Sequence, residues 1–318
     1  MKLKNIANTL LLTSALAILP QAQAALNICQ PQCYEDSIDQ KIESVKFNTK
    51  KGRYEIIAEV NGKKISEGFY YYEQALVKAG IENEQERNIY LEQMHKKTIP
   101  IIAKQKFKNS MTKLHSWNGI KKLESVLGKE DTKNILPYII TESGGDLKIK
   151  RTRGHCYGIL QVKYPVYIDT INYFKRNPKL RSAKKIKKIK WKDLKKRLVA
   201  PQSRIFLGYQ NRIDEMYQIY TKGRMKQSDK QRFRDLGWNL GPVVVGKTVK
   251  EIHGPNISYN ETKFKIVSPN NLKQYSSYKK FSDNELMQKK AISLAYPEFC
   301  KQYRILLETI PKQIAKAD

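Results

Sequence analysis

Several residue types are scarce in this 318-residue chain, and each shortage removes a class of function. There are four histidines and four cysteines. No histidine stands at ligand spacing from Cys29 and Cys33, and only His155 adjoins Cys156, so a zinc site is a poor reading. Beyond the first 24 residues no apolar run approaches the length of a bilayer span, which excludes a permanent membrane helix there. Internal repeats are lacking as well. Acidic residues number 30 against 60 basic ones, for a formal charge of +30. A chain so short of carboxylates is expected to meet an anionic polymer or surface: the cell wall, lipid headgroups or nucleic acid.

The N-terminus supplies a context. Lys2 and Lys4 precede an apolar run from Leu10 to Leu19 and then PQAQAAL. Basic, apolar, then A-x-A is the order of a secretory signal peptide, with the cut expected after Ala24. An exported, periplasmic protein is therefore expected. In an oxidising compartment an even number of cysteines predicts disulfides, and four cysteines allow three pairings. The simplest set is Cys29–Cys33 with Cys156–Cys300.

Residues 46 to 69 read as strands. YEIIAEV runs into Asn61-Gly62 and on to KKISEGF, a hairpin signal. From Tyr71 to about Leu127 the pattern is helical, with breaks expected near Gly80 and Pro100. Residues 25–115 thus form a small mixed appendage of hairpin plus helices. Residues 116–275 read as a mostly helical domain containing a lysine-rich insertion at 175–197 (KRNPKLRSAKKIKKIKWKDLKKR). Such a run reads either as a solvated face or as a patch for an anionic partner. Residues 276–318 form a C-terminal helical tail, opened by the capping box SDNE at Ser282 and Glu285. The fold class expected is predominantly α.

At 138 to 145 stands YIITESGG. Ile135, Ile139 and Glu142 share one helical stripe, so an apolar face ends in a carboxylic acid. A desolvated acid has a raised pKa and can deliver a proton at neutral pH. The bland alternative is a helix-terminal Glu that reaches water. Downstream come GILQ at 158–161, an apolar helix containing Gly208, and GWNLG at 237–241. In this order the motifs Glu142-Ser143, GILQ, Gly208 and GWNLG resemble those of the soluble lytic transglycosylases, across residues 117 to 267. That family shows an E-S pair, a G-L-M-Q turn, a helix with an early glycine, and A-Y-N-A-G.

The resemblance implies a lysozyme-like catalytic domain acting on peptidoglycan glycan strands. Glu142 would be the sole acid/base. Ser143 would help orient the acetamido group, and Gln161, Trp238 and Asn239 would contact substrate. Each has a plainer reading: Gln161 and Asn239 as turn residues, Trp238 as core. The implied reaction cleaves the MurNAc–GlcNAc β-1,4 bond and leaves a 1,6-anhydromuramoyl end, with no metal or organic cofactor. The anionic partner is then the wall or membrane surface, and nucleic acid is not expected. A late family motif, E-T-R-x-Y-V, is only partly echoed by Glu261, Thr262 and Lys263, and Lys265 stands where its tyrosine would be. Two rivals remain. A goose-type lysozyme would need a second carboxylate, for which Asp146 is nearest, and a non-catalytic basic binding protein would need only the charge.

Overall fold

A computed structural model describes residues 40–314, apart from 147, 148, 150, 153–155, 181, 182, 196–198 and 253–255. The signal segment, Cys29, Cys33 and His155 lie outside the described residues. Three strands open the fold: β1 (Gln40–Asn48), β2 (Arg53–Val60) and β3 (Lys63–Gly68), antiparallel in that order. Asn61 and Gly62 both take positive φ, 49° and 72°, as the tightest hairpin turn requires. Ile56, Ala58 and Val60 alternate inward along β2 and are fully buried. The hairpin expected from sequence therefore gains a third strand, β1, which pairs with β2 through a bulge between Ile42 and Ser44.

Helices follow. They are α1 (Tyr72–Lys78), α2 (Glu84–Ser116), α3 (Gly119–Leu127) and α4 (Lys129–Ser143). After a two-stranded piece, β4 (Arg151–Thr152) and β5 (Cys156–Tyr157), come α5 (Tyr164–Arg176), α6 (Ala183–Ile186), α7 (Trp191–Lys195) and α8 (Val199–Thr221). The chain ends with α9 (Lys230–Leu240), α10 (Pro242–Lys250), α11 (Tyr259–Val267), α12 (Pro269–Lys273) and α13 (Asp283–Ile314). The architecture is predominantly α with a small antiparallel sheet.

Helix α2 starts on Asn83, whose side chain accepts from the Gln85 and Glu86 amides at 2.8 and 3.2 Å. The break expected at Gly80 is present, with φ at 97°. The break expected at Pro100 is not, because α2 runs straight through it. Ile99, Ile102, Ala103 and Phe107 are buried around that proline, and their packing outweighs the one backbone hydrogen bond it removes. Helix α13 opens on the expected box: the Ser282 amide donates to Glu285 at 2.8 Å, and the Glu285 amide donates to Ser282 Oγ at 3.3 Å.

The apolar residues form two clusters. One joins sheet residues Ile56 and Val60 to Phe107, Phe233, Leu294, Phe299 and Tyr303, and so extends to both sides of residue 115. The other gathers Leu123, Ile135, Ile139, Leu160, Phe174, Ile205 and Cys300. Helix α13 enters both clusters and packs against α2, α4 and α9. It is the shared wall of the molecule.

Around the lysine-rich segment, Ile186, Ile189 and Leu194 are buried while Lys184, Lys185, Lys187 and Lys188 are exposed. The segment is anchored by its apolar residues and turns its charge to solvent.

Candidate active site

Helix α4 carries Glu142 in its last turn. The helix stops because Gly144 and Gly145 take left-handed φ of 59° and 74°, and the Gly144 amide closes on the Ile140 carbonyl at 3.1 Å. A side chain at 145 would meet the Ser110 carbonyl at 2.5 Å, so only glycine lets this turn lie against α2.

Glu142 is half-buried, and its Oε1 accepts two hydrogen bonds. Trp238 Nε1, from α9, donates at 2.9 Å, and the Tyr296 hydroxyl, from α13, donates at 2.7 Å. Among the described residues Oε2 makes no hydrogen bond, which leaves it available to a ligand. Burial pushes the carboxyl above the ordinary carboxylate range. The hydrogen bonds from Tyr296 and Trp238 and the charges of Lys289 and Lys163 pull it partly back. An acid held in this way can carry its proton to higher pH than a free Glu and still ionise after giving it up.

Lys289 and Tyr70 share this field. Lys289 is pushed down to about 8 by burial and by Lys163, against the attraction of Glu142. Its Nζ donates to the Asn239 carbonyl and to Asn239 Oδ1 at 3.1 and 3.0 Å. Asn239 Oδ1 also accepts from Ser293 Oγ at 2.8 Å. Tyr70, in the short turn after β3, is raised to about 12 by burial and by the charge of Glu142. The turn that leaves the N-terminal sheet therefore contributes a side chain to the surroundings of this acid.

The structure brings Glu142 and Trp238 into direct contact and ties Asn239 to the site through Lys289. The rings of Trp238 also meet Phe206, Tyr209 and Tyr138 edge-on at 4.6, 5.8 and 6.5 Å, so it packs as a core aromatic while its Nε1 reaches Glu142. Ser143 is buried and donates to the Ile139 carbonyl at 2.8 Å, within its own helix. Gln161 takes φ of 48° and its amide nitrogens bond the Gly158 carbonyl, so it serves its own turn. That turn is tight: a Cβ at 158 would lie 1.5 Å from Gln202 Nε2. Lys263, from the partial late motif, points elsewhere and pairs with Glu92 at 2.6 Å.

The expected Cys156–Cys300 disulfide is corrected: the two thiols are not joined. Cys300 is fully buried on α13 with its Sγ 3.6 Å from Thr141 Oγ1, inside the second apolar cluster. Cys156 lies outside that cluster, in β5.

Sequence reading missed Tyr296, Lys289, Ser293 and Tyr70. Positions 289, 293 and 296 lie on one face of α13, but that helix is rich in polar residues along its length, so the stripe does not stand out. Tyr70 had no signal either, because nothing local connects it to a carboxylate 72 positions away.

Tyr296→Phe removes a bond that lowers the Glu142 pKa and leaves the burial that raises it. The carboxyl titration, followed by carbon NMR, is expected to move further upward; no movement would mean that Tyr296 does not hold the acid.

In comparisons with known proteins the chain matches no family model, no curated protein and no solved structure. What it does must be argued from the site.

Proposed function

We propose that this chain is an exported peptidoglycan lytic transglycosylase, with a lysozyme-like fold over residues 116–275. The observation that carries the proposal is the single acid at the end of an apolar helix. One oxygen of Glu142 is fixed by Trp238 and Tyr296, the other is open, and burial raises the carboxyl above the ordinary carboxylate range.

In this reading Oε2 of Glu142 protonates the glycosidic oxygen between N-acetylmuramic acid and N-acetylglucosamine. The muramoyl acetamido oxygen closes on C1 as the bond breaks, a neighbouring nucleophile already in place. Glu142, now an anion steadied by Tyr296, Trp238 and Lys289, takes the proton of the C6 hydroxyl. That oxygen displaces the acetamido group at C1 and the 1,6-anhydro ring forms. One proton leaves Glu142 and one returns, and no water enters the product. Tyr296 and Trp238 are positioning residues here, and Asn239 with Lys289 forms a polar wall beside the acid. Exposed Lys184, Lys185, Lys187 and Lys188 would hold the protein near the anionic wall or membrane surface.

Hydrolysis, the goose-type lysozyme alternative, ordinarily employs two carboxylates flanking the bond. The transglycosylase route employs Glu142 alone. Asp146→Asn is therefore expected to keep most of the activity, measured as release of soluble muropeptides; loss to background would favour the hydrolytic reading. Running the reaction in heavy-oxygen water tests the proposal itself. Transglycosylation incorporates no label at the new muramoyl end, and label at that end would overturn it.

A further inference from the structure

A cavity of about 410 Å³ is built from the sheet, the turn after it, α2 and α13. Its lining includes Phe47, Tyr54, Phe69, Tyr70, Phe299 and Lys106. Phe47 is 45% exposed although large and apolar, which leaves an aromatic surface open at the rim. Tyr70 links the two sites, since it lines this cavity and also feels the charge of Glu142.

The cations around the cavity differ in one respect. Lys51 pairs with Glu55 at 2.8 Å and Arg53 with Glu67 at 2.9 Å. Lys106 has no carboxylate partner among the described residues. Its Nζ lies over the Phe299 and Tyr54 rings, 4.9 and 5.7 Å from their centroids. Burial pushes its pKa down. Ring faces attract a cation but do not replace a counter-ion. A half-buried ammonium beside aromatic walls thus lacks an anion, and the cavity has room for one carried on a ring.

We propose that this cavity is a second glycan subsite that takes a carboxylate-bearing N-acetylated sugar, its ring against Tyr54 and Tyr70 and its carboxylate on Lys106. The inference rests on the peptidoglycan reading above. The carboxylate has two sources in such a polymer, the lactyl ether of muramic acid or the stem peptide attached to it. Either would be held by the same ammonium, through a charge-assisted hydrogen bond.

The test is calorimetric titration of the full chain with three ligands: the GlcNAc–MurNAc disaccharide, the same disaccharide carrying its peptide, and N,N′-diacetylchitobiose, which lacks a carboxylate. Wild type is expected to bind at least one carboxylated ligand about tenfold or more tighter than chitobiose. Lys106→Met should abolish that preference and leave chitobiose binding unchanged, whereas Lys106→Arg should keep it. Which carboxylated ligand is preferred identifies the source. Equal affinity for all three ligands, or a preference that survives Lys106→Met, overturns the proposal. If Lys106→Met does not fold, side-chain NMR shifts in wild type decide: changes at Phe47, Tyr54 and Lys106 with carboxylated ligand alone support the site, and their absence refutes it. Because binding is read without turnover, a protein that binds in this way but forms no anhydro product would refute the catalytic reading and leave the subsite standing.

Discussion

Glu142→Gln is expected to remove activity on peptidoglycan by at least the ~10²–10⁴ that general acid–base catalysis contributes, and to background if one acid serves both steps. The amide oxygen can still accept from Trp238 and Tyr296 at Oε1, so the pocket should keep its shape. No proton can be delivered from it. Stability should hold or rise at neutral pH. Burial raises the folded-state pKa of Glu142, so its ionised form is the one the fold disfavours. That cost is absent below the unfolded carboxylate pKa and grows as pH climbs through the raised folded value. The substitution removes it. Thermal melts at acid and neutral pH check the sign: the variant should gain on wild type as pH rises, and a gain only at acid pH would contradict the assignment.

Asp235→Ala carries the second large effect, this time on folding. Asp235 is fully buried on α9 and binds Arg304 of α13 through both oxygens, at 2.8 and 2.7 Å. Its Oδ1 also accepts from the Tyr138 hydroxyl at 2.5 Å and from Gln231 at 2.9 Å. Removing it leaves the Arg304 guanidinium without its carboxylate and the Tyr138 hydroxyl without its acceptor. Breaking a buried pair from one side costs about 3–5 kcal/mol. The lower end applies here, because Arg304 keeps 26% exposure and can reach water. The network lies two helical turns from Tyr296 and ties α4, α9 and α13 together, so activity should fall along with stability. Chemical denaturation reads the first effect. A loss under about 1 kcal/mol would show that the pair is not what joins these helices.

The local features were open to a reading of the sequence, and the long-range ones were not. Asn61-Gly62 and the Ser282–Glu285 box signal themselves, because the residue types that make them are close in sequence. The pattern around Glu142 is legible for the same reason: its stripe and the two glycines after it are contiguous. Its partners come from α9 and α13, 96 and 154 positions away. Trp238 was reached only through a motif resemblance. Tyr296 sits in a segment that reads as a tail, and nothing in a one-dimensional pattern says that such a helix will pack beside Glu142. Pro100 misled because a residue that breaks an isolated helix is carried through by the apolar packing around it.

The central claim is that one half-buried carboxylic acid cleaves peptidoglycan without water. Mass spectrometry of the products released by the purified chain from isolated peptidoglycan tests it most directly. Muropeptides ending in 1,6-anhydromuramic acid, present with wild type and lost with Glu142→Gln, are the predicted result. Reducing muramoyl ends, or no release by a folded wild-type chain, would contradict it.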